Sequence, residues 1–243
     1  MAQVFLPDGR SLRLRLFPQP KAKAPSRLSA PGPGLFAPPN DDEVVTAAAE
    51  AIAARIVNLV LLNRGNAAIL EKFSQLGIRD WWLTAGAVVH TVWNLRTGRP
   101  ADEGVKDYDV FYFSEDLSEE AEGLVQADAD RLFPELPVPI QVRNQARVHL
   151  WYPDKFGIPY SSLTSASEGI LRFPTTTTAV GVRRTGDDFL DVFAPFGLSN
   201  VWDMIVKPNR LLPIPQIYAE KAERWQKQWP RLIVRPWVVE TPD

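Results

Sequence analysis

The sequence predicts an α/β (or α+β) protein, with a mixed, twisted sheet, helices packed against it and a C-terminal hairpin-and-helix extension. Three observations carry that prediction. Apolar segments of helical period alternate with short runs of β-branched and aromatic residues through the middle of the chain. The stretch 81–113, WWLTAGAVVHTVWNLRTGRPADEGVKDYDVFYF, reads as apolar residues, a glycine turn, a helix closing at Gly98 and a strand, in succession. With 45% hydrophobic residues over 243 positions, the chain can bury one substantial core.

From the N-terminus, residues 1–40 read as an arm and Pro-rich linker, set apart from a single domain over 41–243. Val4-Phe5-Leu6, a turn at Pro7-Asp8-Gly9 and the alternation Leu12 to Phe17 suit a hairpin, and 18–39 turns to Pro, Ala, Lys and Gly. The arm carries six basic residues against one acid, as organelle-targeting segments do, but its prolines and Leu/Arg alternation suit a helical presequence badly. Asp41 and Asp42 can cap a helix that runs through Ala47 to Leu62, with Glu43 in its first turn. Asn63 to Asn66 breaks the pattern, and a second helix from Ala67 to Leu76 stops at Gly77.

Val105 to Phe113 is the strand that draws attention. Asp107 and Asp109 share one face because strand side chains alternate, while Tyr108, Val110 and Tyr112 make the other face apolar. Two adjacent carboxylates repel, and a divalent cation relieves that repulsion; Mg²⁺ (or Mn²⁺) with hard oxygen ligands is the natural choice. Beyond it, Ser118, Glu119 and Glu120 start a helix through Leu132 that Pro134 stops. A strand at Val138 to Val142 then runs on into Asn144 to Tyr152. Ser165 to Glu168 has the form of a capping box, Thr175 to Val182 and Phe189 to Phe193 form a hairpin, Leu198 to Val206 a short helix, and Ile214 to Trp229 a longer one ended by Pro230.

Composition bounds the chemistry. A net charge of −2 gives no strong signal for nucleic acid, the lack of cysteine rules out disulfides and thiolate metal sites, and two histidines nearly rule out a multi-histidine zinc centre. No apolar run nears the ~20 residues that span a bilayer, so a cytoplasmic protein without a membrane partner is expected.

Ala85-Gly86-Ala87, Thr91-Val92-Trp93-Asn94, Asp107-x-Asp109, Asn144 to Tyr152, Ala194 to Leu198, Lys207-Pro208-Asn209 and Trp225 to Pro230 resemble, in this order, the nucleotidyltransferase-like family of the DNA polymerase β superfamily. The resemblance spans roughly 69–237 and implies a polymerase β-like core with an NTP as donor and an unidentified acceptor. It also implies catalytic aspartates at Asp107 and Asp109 that bind two Mg²⁺ (or Mn²⁺) ions on the nucleotide phosphates. Gly86 and Ala87 would then meet phosphate at a helix start, with Thr84 adding a hydroxyl. Asn144, Gln145 and Arg147 would contact nucleotide, the last either binding phosphate or forming a structural ion pair. His149 and His90 read as structural residues; Lys207, Asn209, Lys221 and Arg224 are further phosphate candidates, or solvated surface groups. The superfamily's third acid falls at Gln141, an amide; Asp191, on its own strand, is the other candidate. A triad closed by an acid favours a metal-dependent nucleotidyltransferase. Closure by Gln141 favours a degenerate module that binds nucleotide or protein without catalysis.

Overall fold

The structure is a computed structural model and describes residues 2–5, 9–17, 47–186 and 188–237. Strands β1 (Gln3–Phe5), β2 (Ser11–Phe17), β3 (Trp81–Thr84), β4 (Tyr108–Tyr112), β5 (Ile140–Asn144), β6 (Gly181–Thr185) and β7 (Phe189–Phe193) form one sheet in the order β1-β2-β7-β6-β3-β4-β5. The β2–β7 and β4–β5 pairs are parallel and the other pairs antiparallel, so the sheet is mixed, as expected. The helices are α1 (Ala47–Val60), α2 (Arg64–Lys72), α3 (Ala85–Arg96), α4 (Glu119–Leu132), α5 (Val148–Phe156), α6 (Ala166–Leu171), α7 (Ser199–Trp202) and α8 (Pro215–Gln228). A small parallel pair, β8 (Ile205–Val206) and β9 (Ile233–Val234), completes the C-terminal part. Among the described residues no helix is long and apolar enough to cross a membrane.

Period two sorts the sheet's side chains onto two cores. Trp81, Leu83, Tyr108, Val110 and Val182 join the main core with Val57 of α1, Ile69 of α2, Val89 of α3 and Ala129 of α4. Trp82 and Phe193 point to the opposite face, where α6 supplies Ala166 and Ile170 and Phe111 packs alongside. Each large side chain buried this way stabilises the fold by about 1.5–3 kcal/mol. Asp109, next to Val110 along the strand, therefore belongs to the α6 face.

Several elements differ from the sequence reading. The hairpin at residues 3–17 does not stand apart from the domain. Strand β2 pairs with β7 from Arg13↔Phe189 to Phe17↔Phe193, and Val4, Leu12 and Leu14 are buried in the main core. The anchor is electrostatic as well as apolar, since Asp191 is fully buried and accepts from Arg15 (2.7 Å), Arg183 (3.1 Å) and Thr185 (2.7 Å). The linker over 18–39, the Pro7-Asp8 part of the turn and the expected caps at Asp41, Asp42 and Glu43 lie outside the described residues. The strand expected to continue into Asn144–Tyr152 stops at Asn144, whose side chain accepts from the Ala146 N–H (3.1 Å) and opens a 3-10 turn leading into α5. Leu198 to Val206 divides into α7 and β8 instead of forming one helix.

A buried polar network ties α3 to β4. Asn63 caps α2 by accepting from the N–H groups of Gly65 and Asn66, and its carbonyl also accepts from the Tyr108 hydroxyl (3.0 Å). Its amide donates to Thr91, while Asn66 donates to the Ala87 carbonyl (2.9 Å). Tyr108 reaches this turn only because Gly65 lacks a side chain: a Cβ there would lie 2.1 Å from the tyrosine oxygen. The strand carrying Asp109 and the helix carrying Gly86 are thus held in one fixed relation.

Candidate active site

A cavity of about 410 Å³ opens where β4 and α3 begin, with α8 across from them. Gly86, Ala87 and His90 line it from α3, Asp107 and Asp109 from the start of β4, and Lys221, Arg224 and Trp225 from α8; Phe173 and Pro174 form a further wall. Sheet register explains the arrangement, because Gln141, Asp109, Thr84 and Gly181 lie side by side across β5, β4, β3 and β6. Asp107 sits just before the strand, and the Gln141 amide donates to its Oδ2 (2.9 Å).

Burial and then the neighbouring Asp107 push the Asp109 carboxyl up to about 7, against the opposing influence of Lys221 and Arg143. Lys221 is shifted down, by burial first and by Arg224 next, while the two aspartates pull it back up. The cavity therefore has one wall of poorly compensated carboxylate and, facing it, one wall of crowded cations. The two carboxylates suit a hard divalent cation, but among the described residues no group of three or more His, Cys, Asp or Glu side chains is placed to hold one. The donor set fits an ion completed by a substrate's phosphate oxygens, and does not fit an ion caged by protein alone.

The start of α3 is strained at Ala85, which adopts φ 58°. The left-handed residue of the turn is this alanine and not Gly86. Gly86 is favoured for a different reason, since a Cβ on it would lie 3.0 Å from Cε1 and 3.1 Å from Nδ1 of His90, and the ring would have to give by a few tenths of an ångström. The imidazole packs against the glycine one helical turn away. Burial, followed by Arg224 and Lys221, lowers its pKa to about 3, so the ring stays neutral.

Of the residues singled out from the sequence, Asp107, Asp109, Gly86 and Ala87 converge on this cavity, and Gln141 stands beside the pair. Thr84 lies in the same row but below the cavity; it is fully buried and its hydroxyl donates to the Val180 carbonyl (2.5 Å). Asn144, Gln145 and Arg147 are not in the cavity. They follow the far end of β5, with Asn144 paired to Tyr112, three residues or roughly 10 Å along β4 from Asp109. Asn144 braces the Ser114–Asp116 loop, Gln145 packs on Gly169, and Arg147 pairs with Glu122 and Glu119 and donates to the Leu117 carbonyl. Arg147 is thus the structural ion pair of the two alternatives, although its partners are glutamates of α4. Asp191 lies on β7, with β6 and β3 between it and β4, and is enclosed by its arginines. Asn209 donates to the Leu171 carbonyl (2.6 Å), bracing the 173–174 wall.

The sequence reading undervalued α8. Tyr218, Ala222 and Trp225 form its buried stripe, which Trp229 extends just past the helix end, and Lys221 and Arg224, three residues apart, flank that stripe on the cavity side. That i, i+3 cation pair beside an apolar stripe was the available signal. It became meaningful only once the sheet order put α8 opposite Asp109.

A family model described as nucleotidyltransferase matches residues 71–234. A solved NMR structure, described as revealing a CCA-adding enzyme head domain, is similar in fold with a TM-score of 0.59 and 26% identity, covering 74% of this chain and 95% of that one. Among curated proteins none matches the chain.

Proposed function

Since the chain belongs to the nucleotidyltransferase family, we propose that it moves an NMP group from an NTP to an acceptor, with Asp107 and Asp109 as the metal-holding and catalytic pair. The observation that carries this reading is the convergence of two carboxylates, the start of α3 with Gly86 in its first turn and two α8 cations on one cavity. In this reading the triphosphate lies between the start of α3 and the α8 wall. Backbone N–H groups at Gly86 and Ala87 meet one phosphate, where the helix dipole favours negative charge. Lys221 and Arg224 face the pyrophosphate, whose charge grows as the bond between the α-phosphorus and its bridging oxygen breaks. A divalent ion on the two aspartates supplies charge neutralisation across the phosphates. Gln141 holds the Asp107 carboxylate in place through its amide.

One observation favours the second reading, a module that binds nucleotide without transfer: the residue beside the pair is Gln141, which carries no charge and cannot take a proton from an acceptor. The first test is a calorimetric titration with each of the four NTPs, with and without Mg²⁺, on the natural protein and on Asp107→Asn/Asp109→Asn. Metal-dependent binding that the double variant loses is the expected result. Pyrophosphate release in the presence of candidate acceptors then separates transfer from binding alone. If no NTP binds under either condition, the reading is wrong.

A further inference from the structure

Helix α5 and the loop after it carry a ridge of rings that belongs to neither hydrophobic core. Tyr152 meets Phe156 and Tyr160 with ring centres 4.5 Å apart in each pair, and Trp151 lies 5.8 Å from Tyr152. None of these rings joins the two clusters that hold the sheet. Trp151 is 42% exposed and Phe156 37%. Two cations interleave with the rings: the Lys155 ammonium is 5.6 Å from the centre of Trp151 and 5.4 Å from that of Phe156, and the Arg172 guanidinium is 4.4 Å over Tyr160. Neither cation pairs with a carboxylate among the described residues. Nearby acids are engaged elsewhere, Glu119 and Glu122 by Arg147 and Glu168 by Thr164, which leaves Asp154 as the exposed acid of α5. The ridge also runs on to the cavity. Arg172 directly precedes Phe173, a cavity wall, whose ring centre is 5.3 Å from that of Phe111 on the Asp109 face of β4. Arg143 is the cross-strand partner of Phe111, so it shares that face, exposed and without an ion pair among the described residues.

Resting on the nucleotide reading above, we propose that this ridge binds a single-stranded nucleic acid, RNA or DNA, and leads its end into the cavity as the acceptor of the NMP group. Exposed rings with cations between them match what an unpaired strand offers, since each base has a flat face to stack and each phosphate a charge. A duplex keeps its base faces stacked inside and cannot use the rings. The net charge of −2 confines such binding to a local strip, where stacking supplies what bulk charge does not. The centre of a protein–protein contact tends to exclude lysine, whereas Lys155 stands between the two most exposed rings of the ridge. A cavity of about 410 Å³ holds a nucleotide but not the body of a polymer as well, so the rest of the acceptor must lie on a surface outside it. Arg143, between Gln141 and the turn into α5, is placed for the phosphate next to the entering end. There a terminal hydroxyl oxygen bonds to the α-phosphorus while the bond to the bridging oxygen breaks. Pyrophosphate leaves with that electron pair, and the hydroxyl proton passes to water.

The experiment follows the fluorescence anisotropy of labelled RNA and DNA strands of about 12 nucleotides, single and as duplexes, on the full chain without NTP. It is repeated on Trp151→Ala and Lys155→Gln, both at exposed positions, and on Leu124→Ala, an exposed apolar control on α4. The expected result is salt-sensitive binding of single strands of at least one sugar type, weaker binding of duplexes, and a loss of roughly tenfold (about 1.4 kcal/mol) in Trp151→Ala. Lys155→Gln should flatten the salt dependence, and Leu124→Ala should change nothing. NTP affinity by calorimetry should stay the same in all three variants, which separates the ridge from the cavity. With Mg²⁺ and NTPs, the bound strand should lengthen at one end. No single-strand binding at low salt, equal binding of duplexes, or full affinity in Trp151→Ala overturns the ridge as a strand platform. A concentration-dependent dimer that Trp151→Ala abolishes, with no strand bound, assigns the face to a second copy and overturns it too. A protein that binds both strand and NTP yet never extends the strand overturns the acceptor role. Strand binding without any NTP binding removes the nucleotide reading and leaves the platform standing.

Discussion

Replacing Gln141 by Glu adds the carboxylate that the cavity lacks. Its amide now donates to Asp107 Oδ2 over 2.9 Å, and Asp109 is its cross-strand partner. A glutamate in the same position turns that hydrogen bond into a clash of charges. At about 4 Å and an effective dielectric of 20, the repulsion is about 4 kcal/mol. The variant can escape by taking up a proton, which caps the loss. Holding a carboxyl of ordinary pKa 4.3 protonated at pH 7 costs about 3.7 kcal/mol, that is roughly 2.7 units at 1.36 each. The protonated form recovers part of this by donating to Asp107. A net destabilisation of about 2–4 kcal/mol follows, or roughly 4–16 °C in melting temperature at 2–4 °C per kcal/mol for a domain of this size. Thermal unfolding without metal and with saturating Mg²⁺ or Mn²⁺ measures it. The metal should stabilise Gln141→Glu much more than the natural protein, since the third carboxylate becomes a ligand instead of a liability. A variant as stable as its parent in metal-free buffer would refute the placement of Gln141 against Asp107. A variant that is destabilised but gains nothing from either ion would sink the metal reading.

Three other perturbations separate structural from functional roles. Gly65→Ala puts a Cβ 2.1 Å from the Tyr108 oxygen, and displacing that ring breaks the bond to Asn63; the expected loss is about 3 kcal/mol by chemical denaturation, and an unchanged midpoint would contradict the packing. Asp191→Asn removes charge from a fully buried carboxylate held by two arginines; stability should fall by about 3 kcal/mol while NTP affinity stays unchanged, whereas lost metal-dependent binding would return Asp191 to the site. His90 has a folded pKa of about 3, below its ordinary 6.5, so the unfolded chain binds the proton first. Its contribution is complete above pH 6.5 and is lost as pH falls toward 3. Between pH 6.5 and 5 this amounts to at most about 2 kcal/mol. Unfolding titrations across that window should show His90→Phe losing less stability than the natural protein, and parallel curves would count against a buried neutral imidazole.

What could be read from the sequence was whatever local pattern determines. Alternation in Tyr108 to Tyr112 predicted which side of β4 is buried, Gly77 ended its helical segment in a left-handed conformation, and Ser118 caps α4 as its position suggested. Gln141 is placed near the aspartate pair by the family resemblance, which expects the third acid at that position, and the sheet register puts it opposite Asp109. The block from Asn144 to Tyr152 misled because a strand and a capped turn begin with the same residues: the side chain of Asn144 offers the backbone a partner that competes with the ladder. Once the chain turns there, Arg147 cannot share a strand face with anything. Asp191 had a hydrophobic–acid–hydrophobic setting suited to a ligand, but what surrounds it comes from β2 and β6, and Arg15 is 176 residues away in sequence. Lys221 and Arg224 could be named as phosphate candidates, but nothing local separated them from solvated surface cations until the chain brought α8 across the sheet. Distant pairings of this kind leave only weak local signals, such as the i, i+3 cation pair of α8.

The attachment of β2 to β7 also determines when the fold can close. The hairpin is synthesised first, yet the strand that receives it is the last of the central sheet, so the hairpin must wait while the whole core is made. Joining ends so far apart carries a large entropic cost, and it is recovered only after β6 and β7 have formed. Until then the edge of β7 is open to any extended chain nearby, and Asp191 lacks one of its two cations. On the ribosome, a partner already tethered to the same polypeptide has the advantage over strangers: when β7 emerges, the strand that will cover it has long been outside.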